Sequence, residues 1–394
     1  MRKLKVMLAL LIATFVFQYC SKNESANLPT YDAIKAAFGT SIDPNNLFNY
    51  ANQTIPGYIR KDNTGSNPIS NAKATLGRVL FYDKNLSVNN SISCGSCHVQ
   101  AFAFGDTALA SNGVLGGLTG RHSMRLVNAR FAVESKFFWN ERAASLEAQT
   151  TQPVQDHAEM GFSGTDGRPA IDSLLRKLSS ISYYKELFTF VYGDTIVTEP
   201  RMQECLAQFV RSIQSFDAKY DAGRSQVAND NQPFPNFTAQ ENNGKNLFLT
   251  PPVFDASGVR TGGGLGCNGC HNAPEFDIDP NTGNNGIIGV LNGTGIDINN
   301  TRAPSLRDLT GIDGNPNTPM MHTGVISTLQ AVIGHYGTIH LAPGNTRLDP
   351  RLTPNGFGQQ LQLTAAEVNA VIAFLKTLSG NKVYTDAKWS NPFK

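Results

Sequence analysis

Two copies of one five-residue pattern constrain this chain more than anything else in it: Cys94-Gly-Ser-Cys97-His98 and Cys267-Asn-Gly-Cys270-His271. Both read C-x-x-C-H, the attachment pattern of c-type haem. Two thiols one helical turn apart reach the two vinyl groups of a porphyrin and form thioethers. The adjoining imidazole then supplies the proximal iron ligand. With six Cys and seven His in 394 residues, random order yields roughly 0.002 such patterns per chain, so two copies are not an accident of composition. Zinc would need further Cys or His ligands close by, and a disulfide would need no neighbouring His. Two covalently bound haem c groups follow, attached at Cys94, Cys97, Cys267 and Cys270, with irons held by His98 and His271. The motifs are far enough apart for each haem to have its own domain.

The N-terminus tells where such a chain works. Residues 1–5 are basic and residues 6–17 form an apolar run, too short for a comfortable membrane span and suited to the core of a signal peptide. Phe17-Gln18-Tyr19-Cys20 is similar to a bacterial lipoprotein cleavage site, which makes Cys20 the lipidation candidate. Export fits haem c, which is attached outside the cytoplasm. The expected location is the periplasm or cell envelope, with membrane contact only through a lipid anchor. Removing the three basic residues of the signal from the formal charge of +2 leaves a mature chain near −1, which argues against a nucleic-acid partner. No later stretch is apolar enough, for long enough, to cross a bilayer.

Periodicity predicts a mostly α fold with long loops, and the two haem motifs mark two c-type cytochrome domains. Helices are expected over 72–82, 170–178, 181–192 and 199–217. Thr238-Ala-Gln-Glu241 and Thr364-Ala-Ala-Glu367 are capping boxes that start two more. Cys205 falls on the apolar stripe of its segment and reads as a buried thiol. Residues 221–236 are polar, contain Pro233 and Pro235, and read as a linker. The Gly-rich stretch 258–266 reads as a loop excursion without phosphate-loop spacing. The expected divisions are 1–20 signal peptide, 21–70 tether and lead-in, 71–225 first haem domain, 226–380 second haem domain and 381–394 tail.

Between the haem motifs lies Phe137-Phe-Trp139-Asn-Glu-Arg142-Ala-Ala-Ser-Leu-Glu-Ala-Gln149, followed by Gln152-Pro153 and Ala158-Glu159-Met160-Gly161. With Leu76-Gly-Arg-Val-Leu-Phe-Tyr-Asp83 and Arg302-Ala-Pro-Ser-Leu-Arg307, this resembles the bacterial dihaem cytochrome c peroxidases, including the MauG-type dihaem oxidases, from about residue 70 to 380. The resemblance implies a first haem that reduces hydrogen peroxide to water and a second that takes electrons from a small c-type cytochrome or similar donor. It implies haems that face a shared interdomain interface, and it implies roles residue by residue. Glu159 matches the group that moves the peroxide proton, as O–O cleavage requires. Gln149 would hold the peroxide or a water. Pro153 would pack on the open haem face. Trp139 would relay electrons between the haems. Arg142 is left between a haem propionate and a salt bridge.

The departures are informative. Where the classical members have a distal His on the first haem, Ser111-Asn-Gly-Val114 puts a valine, which cannot ligate iron. The first haem is therefore expected to be open at rest, with His122 as the substitute ligand to be excluded. The resemblance also implies a calcium between the halves, where His122 replaces an Asn ligand and Asn317-Thr-Pro319 matches in part. On the second haem the position of the classical Met holds Tyr336, as in the MauG type, with His335 the adjacent alternative. Met320 and Met321 read as packing residues. The functional alternatives are a MauG-type oxidase acting on a partner protein and a non-catalytic electron-transfer cytochrome. A homodimer is left open.

Overall fold

Gly77 sets how the first half packs. In the computed structural model, which describes residues 30–133, 135–278 and 281–393, it lies on helix Asn71–Tyr82. A Cβ there would fall 2.0 Å from the carbonyl oxygen of Cys205 and 2.8 Å from Cβ of Phe209. Only glycine allows this helix to meet the backbone of helix Glu199–Ser212. Around the crossing Leu76, Val79, Leu80, Cys205 and Phe209 are fully buried. Ser70 caps the first helix by accepting from the Lys73 amide, and Thr198 caps the second. Cys20, the expected signal and residues 21–29 lie outside the described residues.

The second half repeats the device. Gly244, on helix Ala239–Leu249, sits where a Cβ would be 1.9 Å from the carbonyl oxygen of Ala370 and 3.0 Å from Cβ of Phe374. Both residues belong to helix Ala365–Lys376. Both helices start with the capping boxes read in the sequence: Thr238 with Glu241 and Thr364 with Glu367. Phe248, Phe276, Phe374 and Tyr220 fill the core. Phe248 meets Phe374 edge-on at 5.2 Å, a favoured aromatic geometry.

Residues 33–394 form one compact unit that is helical with little sheet. The lead-in and C-terminal residues pack onto the first half. Tyr50 Oη donates to the Lys388 carbonyl at 2.6 Å and Tyr82 Oη to that of Trp389 at 2.7 Å. Arg78, itself buried, donates to Ser390 at 2.6 Å.

Three expectations need correction. The helix expected over 199–217 stops at Ser212. Residues beyond it pair instead with Asn128, whose amide donates to Ile213 and whose side chain bonds both backbone groups of Ser215. The supposed linker 221–236 is structured. Asp221 is buried against Arg307 at 2.9 Å, and Phe234 is 1% exposed. The Gly-rich excursion contains a strand, Arg260–Gly263, antiparallel to Pro252–Phe254. Gly263, at φ +73°, would place a Cβ 2.4 Å from the Pro251 carbonyl. A second small hairpin pairs His271–Asn272 with Asp277–Ile278.

Candidate haem sites and the junction between them

Ser93 precedes the single helical turn Cys94–Cys97, with the Ser96 hydroxyl accepting from its amide. The turn holds both thiols on one side, and neither is in a disulfide. His98 follows. Its Nδ1 lies 3.0 Å from the Phe104 carbonyl, which only accepts, so Nδ1 carries the hydrogen. Nε2 is left as a lone pair, the form that binds iron. Burial holds the ring below its usual pKa, which keeps it neutral for ligation.

Glu159 stands near this motif, within electrostatic reach of both Cys94 and Cys97. Burial first, and then the neighbouring Asp156, push its carboxyl up to about 7, while Arg142 opposes the shift. The backbone around it is fixed. Val114 N–H donates to the carbonyls of Ala158 and Glu159 at 3.1 and 3.0 Å. Gly113 and Gly117 approach Ala158 so closely that a Cβ would sit 1.9 or 2.4 Å from its oxygen. Val114 is thus the buried residue that seats Glu159, with its side chain against Gly161. Gln149 lies half-buried on helix Leu146–Thr150. Pro153 lies in the first turn of helix Gln152–Gln155.

The second motif opens on a cavity of about 630 Å³, within the range of cofactor pockets. Its walls are mainly apolar, including Phe248, Leu265, Ile333 and Leu375, and they contain Cys267, Cys270 and His271. The His271 ring is buried, and burial pulls it down to about 4 against the opposing effect of the Pro304 backbone. Tyr336, from helix Leu329–Gly337, lines the cavity, and burial raises its phenol far above the usual range. His335 does not line it. Its Nε2 bonds the Asn285 carbonyl at 2.9 Å. Met320 and Met321 do line it. A large apolar pocket with paired free thiols and a neutral imidazole fits a covalently held haem.

Trp139 also reaches this cavity. It sits in a tight loop closed by pairing of Phe137 with Ala143, with Phe138 and Glu141 at φ +71° and +55°. Such values are uncommon for non-glycine residues and mark a constrained site. Its ring lies edge-on to His322 at 6.3 Å. His122 lines the same cavity, 3% exposed, with Nδ1 bonded to the Ala108 and Leu109 carbonyls and Nε2 unpartnered. Arg142 lies in the same loop as Trp139. It is exposed, stacks 3.4 Å over Phe138 and bonds Asn140. Sequence reasoning missed Arg125, which lines the cavity and bonds the Ser305 carbonyl at 3.0 Å. Burial pulls its guanidinium down to about 10. It also missed Asn285, discussed below. Neither stands in a motif. Among the described residues, no group of three or more His, Cys, Asp or Glu is arranged to hold a metal ion.

A family model described as di-haem cytochrome c peroxidase matches residues 71–229. The methylamine utilization protein MauG of Methylophilus methylotrophus is 28% identical over 330 residues, covering 82% of this chain and 87% of that protein. Cytochrome c551 peroxidase of Nitrosomonas europaea is 26% identical over 324 residues, covering 78% and 80%. The crystal structure of a MauG-like protein associated with microbial copper homeostasis superposes with a TM-score of 0.65 at 26% identity. It covers 86% of this chain and 99% of that one.

Proposed function

We propose that this chain, which is similar to the dihaem cytochrome c peroxidases over most of its length, reduces hydrogen peroxide to two waters, using two protons and two electrons from a small c-type cytochrome or similar donor. When bound, the haems supply the one-electron chemistry and an iron open to peroxide. His98 and His271 would hold the two irons, and the four motif cysteines would hold the porphyrins. Glu159 takes the proton from the nearer peroxide oxygen and returns it to the farther one. A pKa near the working pH suits both halves of that task. Gln149 offers an amide to orient the peroxide, and Pro153 limits the space beside it. Trp139 connects the half that reacts to the half that receives electrons.

The observation that carries this reading is the Glu159 carboxyl, raised to about 7 beside the first pair of thiols and seated by the Val114 amide. An electron carrier needs no such group. The test is steady-state peroxide turnover with reduced cytochrome c by the protein carrying both haems, beside Glu159→Gln. Turnover by the parent and its loss in the variant support the reading; no turnover by the parent removes it.

A MauG-type oxidation of a partner protein is the second reading. It is favoured by Tyr336 in the second cavity and by Val114 at the position of the distal ligand. We place the protein in the periplasm or cell envelope, anchored through Cys20, on the strength of its export signal.

A further inference from the structure

Of the side chains lining the cavity behind the second motif that are able to bind iron, two are touched by one amide. Asn285 Nδ2 lies 3.2 Å from the phenol oxygen of Tyr336 and 3.1 Å from the sulfur of Met321. Its two N–H bonds suffice for both acceptors. Asn285 is itself fixed. Its Oδ1 accepts from the Ile287 amide at 3.1 Å, and its carbonyl accepts from His335 Nε2 at 2.9 Å. The helix is fixed at the same level by Gln359, which donates to the Tyr336 carbonyl at 2.6 Å. Met321 stands in the turn closed by Met320 and Ile326, at φ +70°. That conformation is rarely adopted by a long unbranched side chain, and the surrounding structure must impose it.

We propose that Met321 is a reserve axial ligand of the second haem, kept off the iron by Asn285, which holds its sulfur while presenting the oxygen of Tyr336. This rests on the reading of the chain as a dihaem protein with Tyr336 on the second iron. A phenol oxygen favours ferric iron and a thioether favours ferrous iron, so the two residues give one site two potentials. His335 becomes a positioning residue: it holds the backbone from which the Asn285 amide reaches.

The test uses the protein with both haems attached and reads spectra and potential rather than turnover. Ferric Tyr336→Phe should keep a low-spin second haem, gain near-infrared sulfur-to-iron charge-transfer absorption, and show a higher midpoint potential. Adding Met321→Leu should abolish that absorption and turn the haem high-spin. Met321→Leu alone should leave the parent spectrum intact, which also shows that the substitution is tolerated. Asn285→Leu should give part of the ferric population the sulfur absorption. A high-spin second haem in Tyr336→Phe, with both haems still present by mass, overturns the proposal. Sulfur absorption already present in the parent and lost in Met321→Leu overturns it too, because Met321 is then the resting ligand and Tyr336 is not. A parent that carries no haem at Cys267 and Cys270 would overturn the dihaem reading itself.

Discussion

The indole nitrogen of Trp139 donates to the carbonyl oxygen of His122 at 2.7 Å. His122 in turn donates its amide to the carbonyl of His322 at 2.7 Å. The ring proposed to relay electrons is therefore bound to the backbone that joins the two halves. Trp139→Phe keeps an aromatic ring but removes the donor. It should cost ~1 kcal/mol of stability and slow peroxide turnover with reduced cytochrome c, while haem content stays the same. Turnover equal to the parent's in a variant with full haem content would remove Trp139 from the path.

Two haems should remain on the chain after acid–acetone extraction. Mass spectrometry of the mature protein should show two haem additions, and Cys94→Ala/Cys97→Ala should show one. A haem that extracts freely, or zinc in its place, would end the reading of both motifs.

Glu159→Gln should keep both haems and lose roughly 10²–10⁴-fold in turnover. The parent's rate should rise with pH through about 7, as the carboxylate that accepts the proton forms. Stability moves the other way. A carboxyl raised by folding binds its proton more tightly in the native state, so its contribution is full below its unfolded pKa and is lost as pH rises through about 7. Denaturation of the parent and of Glu159→Gln at pH 5 and pH 8 should show the parent losing ground at the higher pH. Parallel curves would mean that the group is not buried as described.

The oxidised protein should contain one high-spin haem and react with peroxide without prior reduction, because Val114 offers no ligand. Electron paramagnetic resonance decides. Two low-spin signals would show that another residue closes the first iron. Removing His122, whose Nδ1 is tied to the Ala108 and Leu109 carbonyls, would then show whether it is that residue.

Gly77→Ala and Gly244→Ala should each destabilise by at least ~1–3 kcal/mol, the usual penalty of overpacking. Each new methyl would meet a carbonyl oxygen at 2.0 or 1.9 Å, and backbone cannot turn aside as a side chain can. Thermal unfolding of the haem-loaded variants measures it. Unchanged midpoints would refute the close crossings.

Both capping boxes and the bounds of most of the longer helices were legible because each is local: a Thr three residues before a Glu, an apolar stripe. The end of helix Glu199–Ser212 was not, because Asn128 captures the chain after it from far away in sequence. The hairpin in the Gly-rich stretch was missed because Gly262 and Gly263 carry no alternating side chains to betray a strand. The stacking of Arg142 on Phe138 was not legible either, because no local pattern marks a guanidinium for an aromatic face. Asn285 stood in no motif. Its meaning comes only from what it touches.

The carbonyls of Lys388, Trp389 and Ser390 are bonded by Tyr50, Tyr82 and Arg78, and the Trp389 indole donates to Ser212 Oγ at 3.2 Å. Residues from beyond the second thiol pair thus hold helix Asn71–Tyr82, whose last residue packs against Gly95 between the first two thiols. The setting of the first thiol pair is therefore complete only once the last described residues have docked.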